Sequence, residues 1–144
     1  MERSDFIVKF YDKAYEDQNI EELVKAPVSA ISGVSEQDAI DLKKAFGIET
    51  VEDLATNDYV NLAQGIKYFS ECSGQVLDKA FESTEFQDLA NKPVSAIAGI
   101  SDQDAALLKR AFGIDTIKEL AENKYVLIAQ TTVSMALMCL LILV

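Results

Sequence analysis

The sequence repeats itself: PVSAISGVSEQDAIDLKKAFGIETVEDLA at residues 27–55 returns as PVSAIAGISDQDAALLKRAFGIDTIKELA at residues 93–121. Laid over one another without a gap, residues 12–64 and 78–130 are identical at 29 of 53 positions. Any fold for this chain must therefore accept the same unit twice. The repeat spacing of 66 residues puts each unit near the lower limit for an independent hydrophobic core, which predicts two abutting copies. The expected organisation is a first repeat over residues 1–70, a second over 71–130, and a C-terminal extension over 131–144 that continues the last helix of the second repeat.

Composition narrows the function classes. Hydrophobic residues make up 49% of the chain and prolines number two, so a disordered tract is excluded and a packed core is expected. The 24 acidic residues against 13 basic ones give a net charge of −11, a field that repels phosphate backbones and anionic headgroups and favours solubility. There is no histidine, and Cys72 and Cys139 occupy non-equivalent repeat positions without a CxxC spacing, which disfavours zinc and histidine-based acid–base chemistry. The carboxylates fall at helix caps and on polar helix faces, and Ser35 and Ser101 have no base arranged beside them. The chain is therefore expected not to be an enzyme, with no cofactor, no metal and no small-molecule substrate. Residues 1–25 carry charges throughout and lack an apolar signal segment, which predicts a cytoplasmic location.

Apolar spacing and capping residues predict an all-α fold. Ser4 can cap a first helix over residues 5–16, with a copy at 75–82, and a short helix over 19–25 should stop before Pro27. One further turn at 28–31 leads into Gly33. Ser35 with Asp38, and Ser101 with Asp104, have capping-box spacing at the start of helices 36–46 and 102–112. In the first of these, Ala39, Leu42, Ala45 and Phe46 should face the core, leaving Gln37, Asp41, Lys43 and Lys44 on the wet side. Gly47 is placed to end it in a left-handed conformation. Thr50 and Thr116 cap another short helix, and Asn57 and Asn123 the last one of each unit. The first of these last helices should break near Gly74. Tyr59, Tyr125, Gln64 and Gln130, at matched positions, are expected to make core and inter-helix contacts.

The pattern Gly33, Val34, Ala39, Leu42, Gly47, Ile48, Thr50, Leu54, matched by Gly99, Ile100, Ala105, Leu108, Gly113, Ile114, Thr116, Leu120, resembles the helix-hairpin-helix family. The resemblance implies two tandem helix-hairpin-helix-like repeats packed together. In family members that hold DNA, hairpin amides and the following helix N-terminus cradle a phosphate, helped by nearby Lys or Arg. On that reading the hairpin residues are Gly33, Ser35, Gly99 and Ser101, and the phosphate contacts are Lys43, Lys44, Lys109 and Arg110. The sequence departs from the pattern at the grip. Serine replaces the second hairpin glycine in both copies, and residues 33–55 carry six acids against two bases. Nucleic-acid binding is accordingly the alternative reading.

The last helix is where the copies diverge. Lys67 becomes Val133 and Glu71 becomes Leu137, leaving nineteen uncharged residues from 126 to 144. As one helix these would rise about 28 Å, near the hydrocarbon thickness of a bilayer. Three accounts stay open at this point: a membrane anchor, burial against a protein partner or a second copy, and an ending that is not the module's own. The leading expectation is a noncatalytic protein-interaction scaffold. It is docked to a larger assembly, a homo-oligomer or a membrane through Val133, Leu137, Leu140, Leu141 and Val144.

Overall fold

The computed structural model of the chain describes residues 3–76 and 85–143. Among these residues the fold is all-helical: α1 (Arg3–Phe10), α2 (Ile20–Lys25), α3 (Glu36–Phe46), α4 (Val51–Thr56), α5 (Asp58–Val76), α6 (Glu85–Ala90), α7 (Asp102–Phe112), α8 (Ile117–Glu122) and α9 (Lys124–Leu143). Single 3-10 turns sit at Lys13–Tyr15, Val28–Ala30 and Val94–Ala96. Strand-like pairing is limited, among these residues, to isolated bridges such as Pro27 with Thr50 and Pro93 with Thr116.

Local chemistry sets most boundaries. Asn19 caps α2 by accepting the Glu22 N–H at 2.8 Å. Ala26, extended ahead of Pro27 (ψ 155°), ends that helix. Full capping boxes open α3 (Ser35 with Asp38), α4 (Thr50 with Asp53), α7 (Ser101 with Asp104) and α8 (Thr116 with Glu119). Gly47 and Gly113 close α3 and α7 at φ 71° and 70°, where a side chain would be strained.

The buried apolar residues form one continuous cluster, from Ile20, Leu23 and Leu42 to Leu108, Ile117 and Leu120. Contacts across it come in pairs shifted by 66 residues. α3 packs on α7, α4 on α9 and α5 on α8, while α2 meets α9 and α6 meets α5. At the centre Gln64 and Gln130 exchange amide hydrogen bonds at 2.9 and 2.8 Å. Each amide also donates to a helix-end carbonyl opposite, Gln64 to Ala121 and Gln130 to Ala55. These glutamines thus make the inter-helix contacts expected of them.

Several expectations are corrected. α1 stops at Phe10 instead of reaching residue 16, because Tyr11 leaves the helix to bridge Ile31. The Asp12 and Ser32 N–H groups then donate to Ala30 and Phe10 carbonyls at 2.9 and 2.8 Å. Ser4, expected ahead of the helix, lies within α1. α5 runs through Gly74 to Val76, so Gln75 and Val76 continue it, and the rest of the copy expected at 75–82 lies outside the described residues. The Tyr11 side chain is buried against α9 beside Thr132, with 2.6 Å between the hydroxyls. Thr132 Oγ1 also lies 2.9 Å from the Ile128 carbonyl, and either hydroxyl can donate in its pair with Tyr11. Burial pushes the Tyr11 phenol up to about 12, and the Thr132 bond only partly offsets it.

The largest correction concerns Asp41. Expected on the wet face of α3, it is fully buried, 0% exposed, beneath Arg110 of α7. A single helix read alone has only one core face. α3 has a second, because α7 lies along it.

Candidate functional site

The hairpin ahead of α3 is built by Gly33 at φ 96°, and its counterpart ahead of α7 by Gly99 at φ 99°. Three of its amides are bonded within the chain. The Val34 N–H donates to the Ile31 carbonyl at 3.1 Å. The Ser35 N–H donates to the Asp38 carboxylate at 3.0 Å, and the Asp38 N–H to Ser35 Oγ at 3.0 Å. Ile100, Ser101 and Asp104 repeat the arrangement. Each hairpin therefore holds an aspartate where a phosphate would sit, neutralising the positive end of the following helix.

The hairpins are also covered. Tyr125, on α9, donates its hydroxyl to the Gly33 carbonyl at 3.3 Å and stacks near Phe112 at 4.7 Å between ring centroids. Tyr59, on α5, lies over Gly99 in the same way: a Cβ added there would lie 2.5 Å from its hydroxyl. Phe46 is its ring neighbour at 4.8 Å. The two tyrosines are core and inter-helix contacts, as expected, but each is aimed at the hairpin of the opposite half. Nothing in either half's own sequence pattern announces that pairing.

Of the four basic residues proposed for phosphate, three are engaged within the chain. Lys43 pairs with Glu49 at 2.8 Å, and Lys109 with Asp115. These bonds raise both lysine pKa values. Arg110 binds Asp41 in bidentate fashion, Nε to Oδ2 at 2.9 Å and a terminal nitrogen to Oδ1. Gln37 adds a 3.1 Å bond to the same carboxylate. The Arg110 bond is the main reason that Asp41 is held below the usual carboxylate range, against the opposing effect of burial. Lys44 occupies the position equivalent to Arg110, but the residue equivalent to Asp41 is Leu107. The ion pair therefore has no mirror.

α9 has two unlike faces. Val126, Ala129, Thr132 and Ala136 are buried, whereas Leu137 (57% exposed), Met138 (57%), Leu140 (54%) and Leu141 (64%) face solvent. Of the docking residues read from the sequence, Val133 packs partly against the core, Leu137, Leu140 and Leu141 are exposed, and Val144 lies outside the described residues. The stretch Lys124–Leu141 is long and apolar enough to cross a membrane by length and composition. Among the described residues no group of three or more carboxylates and cysteines could hold a metal ion.

Comparison with protein families matches residues 26–72 to the SAM-like helix-hairpin-helix tandem family, a span that holds the first hairpin, α3, α4 and most of α5. Over that span the protein is helix-hairpin-helix-like. Neither curated proteins nor solved structures give a match. A helix-hairpin-helix domain is compatible with binding either protein or nucleic acid. The choice between them falls to the hairpin's own chemistry.

Proposed function

We propose that the chain is a noncatalytic interaction module: two helix-hairpin-helix units packed in tandem, docked to a protein assembly through the outer face of α9. The observation that carries this reading is the contrast between the two surfaces. Three amides of each hairpin, together with Lys43, Lys109 and Arg110, are bonded within the chain, while four large apolar side chains within five residues of α9 are exposed. Such a patch marks an interaction site in soluble proteins. Docking by one face also fits α9 better than crossing a bilayer. A span from Lys124 would draw Val126, Ala129 and Thr132 out of the core that they complete.

Light scattering coupled to size exclusion tests the reading. The full chain should run as a self-associated species or with a retained protein partner, and Leu137→Glu with Leu141→Glu should convert it to a monomer with unchanged melting temperature. A wild-type chain that is strictly monomeric, retains no partner and is indifferent to those substitutions would sink the proposal.

Nucleic-acid binding is the second reading, and the observation in its favour is Lys44, which makes no ion pair among the described residues. With Lys43, Lys109 and Arg110 held by carboxylates and a net charge of −11, little counterion release remains, so affinity for duplex DNA should be negligible even at low salt. Tight, salt-dependent binding that disappears in Lys44→Glu would reverse the order of the two readings. Catalysis has no residue constellation in this proposal.

A further inference from the structure

A groove of about 420 Å³ opens between α1 and the start of α9, a volume in the range of small-ligand sites. Its floor is apolar, made by Phe6, Phe10, Tyr125, Leu127 and Ile128. Its charged rim is entirely cationic: Lys9 from α1 and Lys124 from α9. In a chain with 24 acidic and 13 basic residues, no carboxylate lines this groove.

Lys44 apart, the other basic residues described above differ from these two lysines. Lys25, Lys43, Lys67, Lys109 and Arg110 each hold a carboxylate. Lys9 and Lys124 have no carboxylate partner among the described residues and instead lie over the rings of Phe10 and Tyr125, at 5.3 and 5.0 Å from the centroids. Two ammonium groups above a greasy floor require a ligand with one anionic end and an apolar body. The remaining polar groups exclude a main-chain ligand. Thr131 gives its hydroxyl proton to the Leu127 carbonyl at 2.8 Å, Ser32 Oγ is turned to Asp12 at 3.2 Å, and the Ser32 N–H is bonded to Phe10. An extended peptide would find no free donor or acceptor row there, whereas an acyl chain needs none.

We infer that this groove binds a monomeric single-chain anionic amphiphile, a fatty-acid carboxylate, with its head between Lys9 and Lys124 and its chain on the Phe6, Phe10 and Ile128 floor. The negative charge of the whole chain does not forbid it. At physiological ionic strength fields fade over about 8 Å, so the two local ammonium groups dominate. The inference stands apart from the docking reading, because the exposed leucines at 137–141 lie further along α9 and take no part in the groove.

Titration calorimetry of the full chain with octanoate, decanoate and dodecanoate, each below its micelle concentration, provides the test. Dodecanoate should bind one per chain, and each added methylene should tighten binding by up to roughly fourfold, the value for complete burial. Lys9→Glu with Lys124→Glu, both on exposed side chains, should weaken binding at least tenfold (a threshold of about 1.4 kcal/mol). Lys44→Glu and the Leu137→Glu, Leu141→Glu pair should leave it intact. Equal binding of dodecyltrimethylammonium, an affinity independent of chain length, or indifference to the Lys9 and Lys124 reversal would each overturn the inference. So would binding to phosphatidylserine vesicles without uptake of the monomeric carboxylates, which would assign the face to a membrane surface.

Discussion

Arg110→Ala should lower the melting temperature by several degrees at neutral pH, far more than Lys44→Ala, although both residues sit at the same repeat position. The difference lies in what each leaves behind. Removing Arg110 strands the Asp41 carboxylate under α7 with only Gln37 as a hydrogen-bond donor, and a buried charge without its partner is strongly destabilising. Removing Lys44 takes away only the smallest of the effects that lower the Asp41 pKa, and the residue at the repeat position of Asp41 in the other half is the apolar Leu107. The pH dependence follows from the direction of the Asp41 shift. A carboxylate held below its ordinary range contributes stability above the unfolded-state value, near 4, and loses it as pH falls through the lower folded value. The melting curves of wild type and Arg110→Ala should therefore diverge most near neutrality and converge in acid, where Asp41 is protonated in both.

The repeat supplies a rescue. Asp41→Leu with Arg110→Lys copies the Leu107 and Lys44 combination that the same helix pair already accommodates on its other side. Replacing a buried ion pair by apolar residues is often neutral or stabilising, so the double variant should recover most of what Arg110→Ala loses. Calorimetry at pH 7 decides it: a double variant as unstable as the single one would show that the pair is held by surroundings the mirror site lacks. The one-sided pair also makes the two halves distinguishable, since α3 carries the acid and α7 the base.

What could be read in advance divides along sequence distance. Ser35 with Asp38, Thr50 with Asp53 and the left-handed Gly47 are chemistry within one turn, and spacing alone located them. The loss of Glu71 in the second copy falls on the exposed face of α9, at Leu137, whereas Lys67 becomes Val133, which packs partly against the core. On the inner face Val60 and Ala63 persist as Val126 and Ala129, and all four are buried. Asp41 was misplaced because its partner lies 69 residues away on another helix. A signal existed nevertheless: an aspartate where the other copy has Leu107 is a polar residue at a position that tolerates burial. The Lys9 and Lys124 groove brings together the first and last helices, and no periodicity links those two ends of the chain.

The other large effect is expected at the hairpin glycines. Gly33→Ala should cost about 3 kcal/mol, from a side chain forced into a positive-φ backbone and from its crowding of Tyr125. An added Cβ would lie 2.6 Å from the Tyr125 hydroxyl oxygen and 3.2 Å from the nearest ring carbon. Gly47→Ala separates the two contributions. Its φ is also positive, at 71°, but a Cβ there meets nothing within 4 Å, so only the conformational cost of about 1–2 kcal/mol should appear. Tyr125→Phe then acts as a partial suppressor: it removes the crowded oxygen at the expense of one long hydrogen bond, so Gly33→Ala with Tyr125→Phe should cost clearly less than the sum of the single changes. Tyr59→Phe, which faces the other hairpin, should add to Gly33→Ala without coupling. Urea unfolding of the five variants measures both outcomes. Additivity in the Gly33 and Tyr125 pair would mean that the tyrosine does not cover the hairpin in solution. The capping aspartate alone would then stand between that hairpin and a phosphate, and the nucleic-acid reading would regain the surface that Tyr125 denies it.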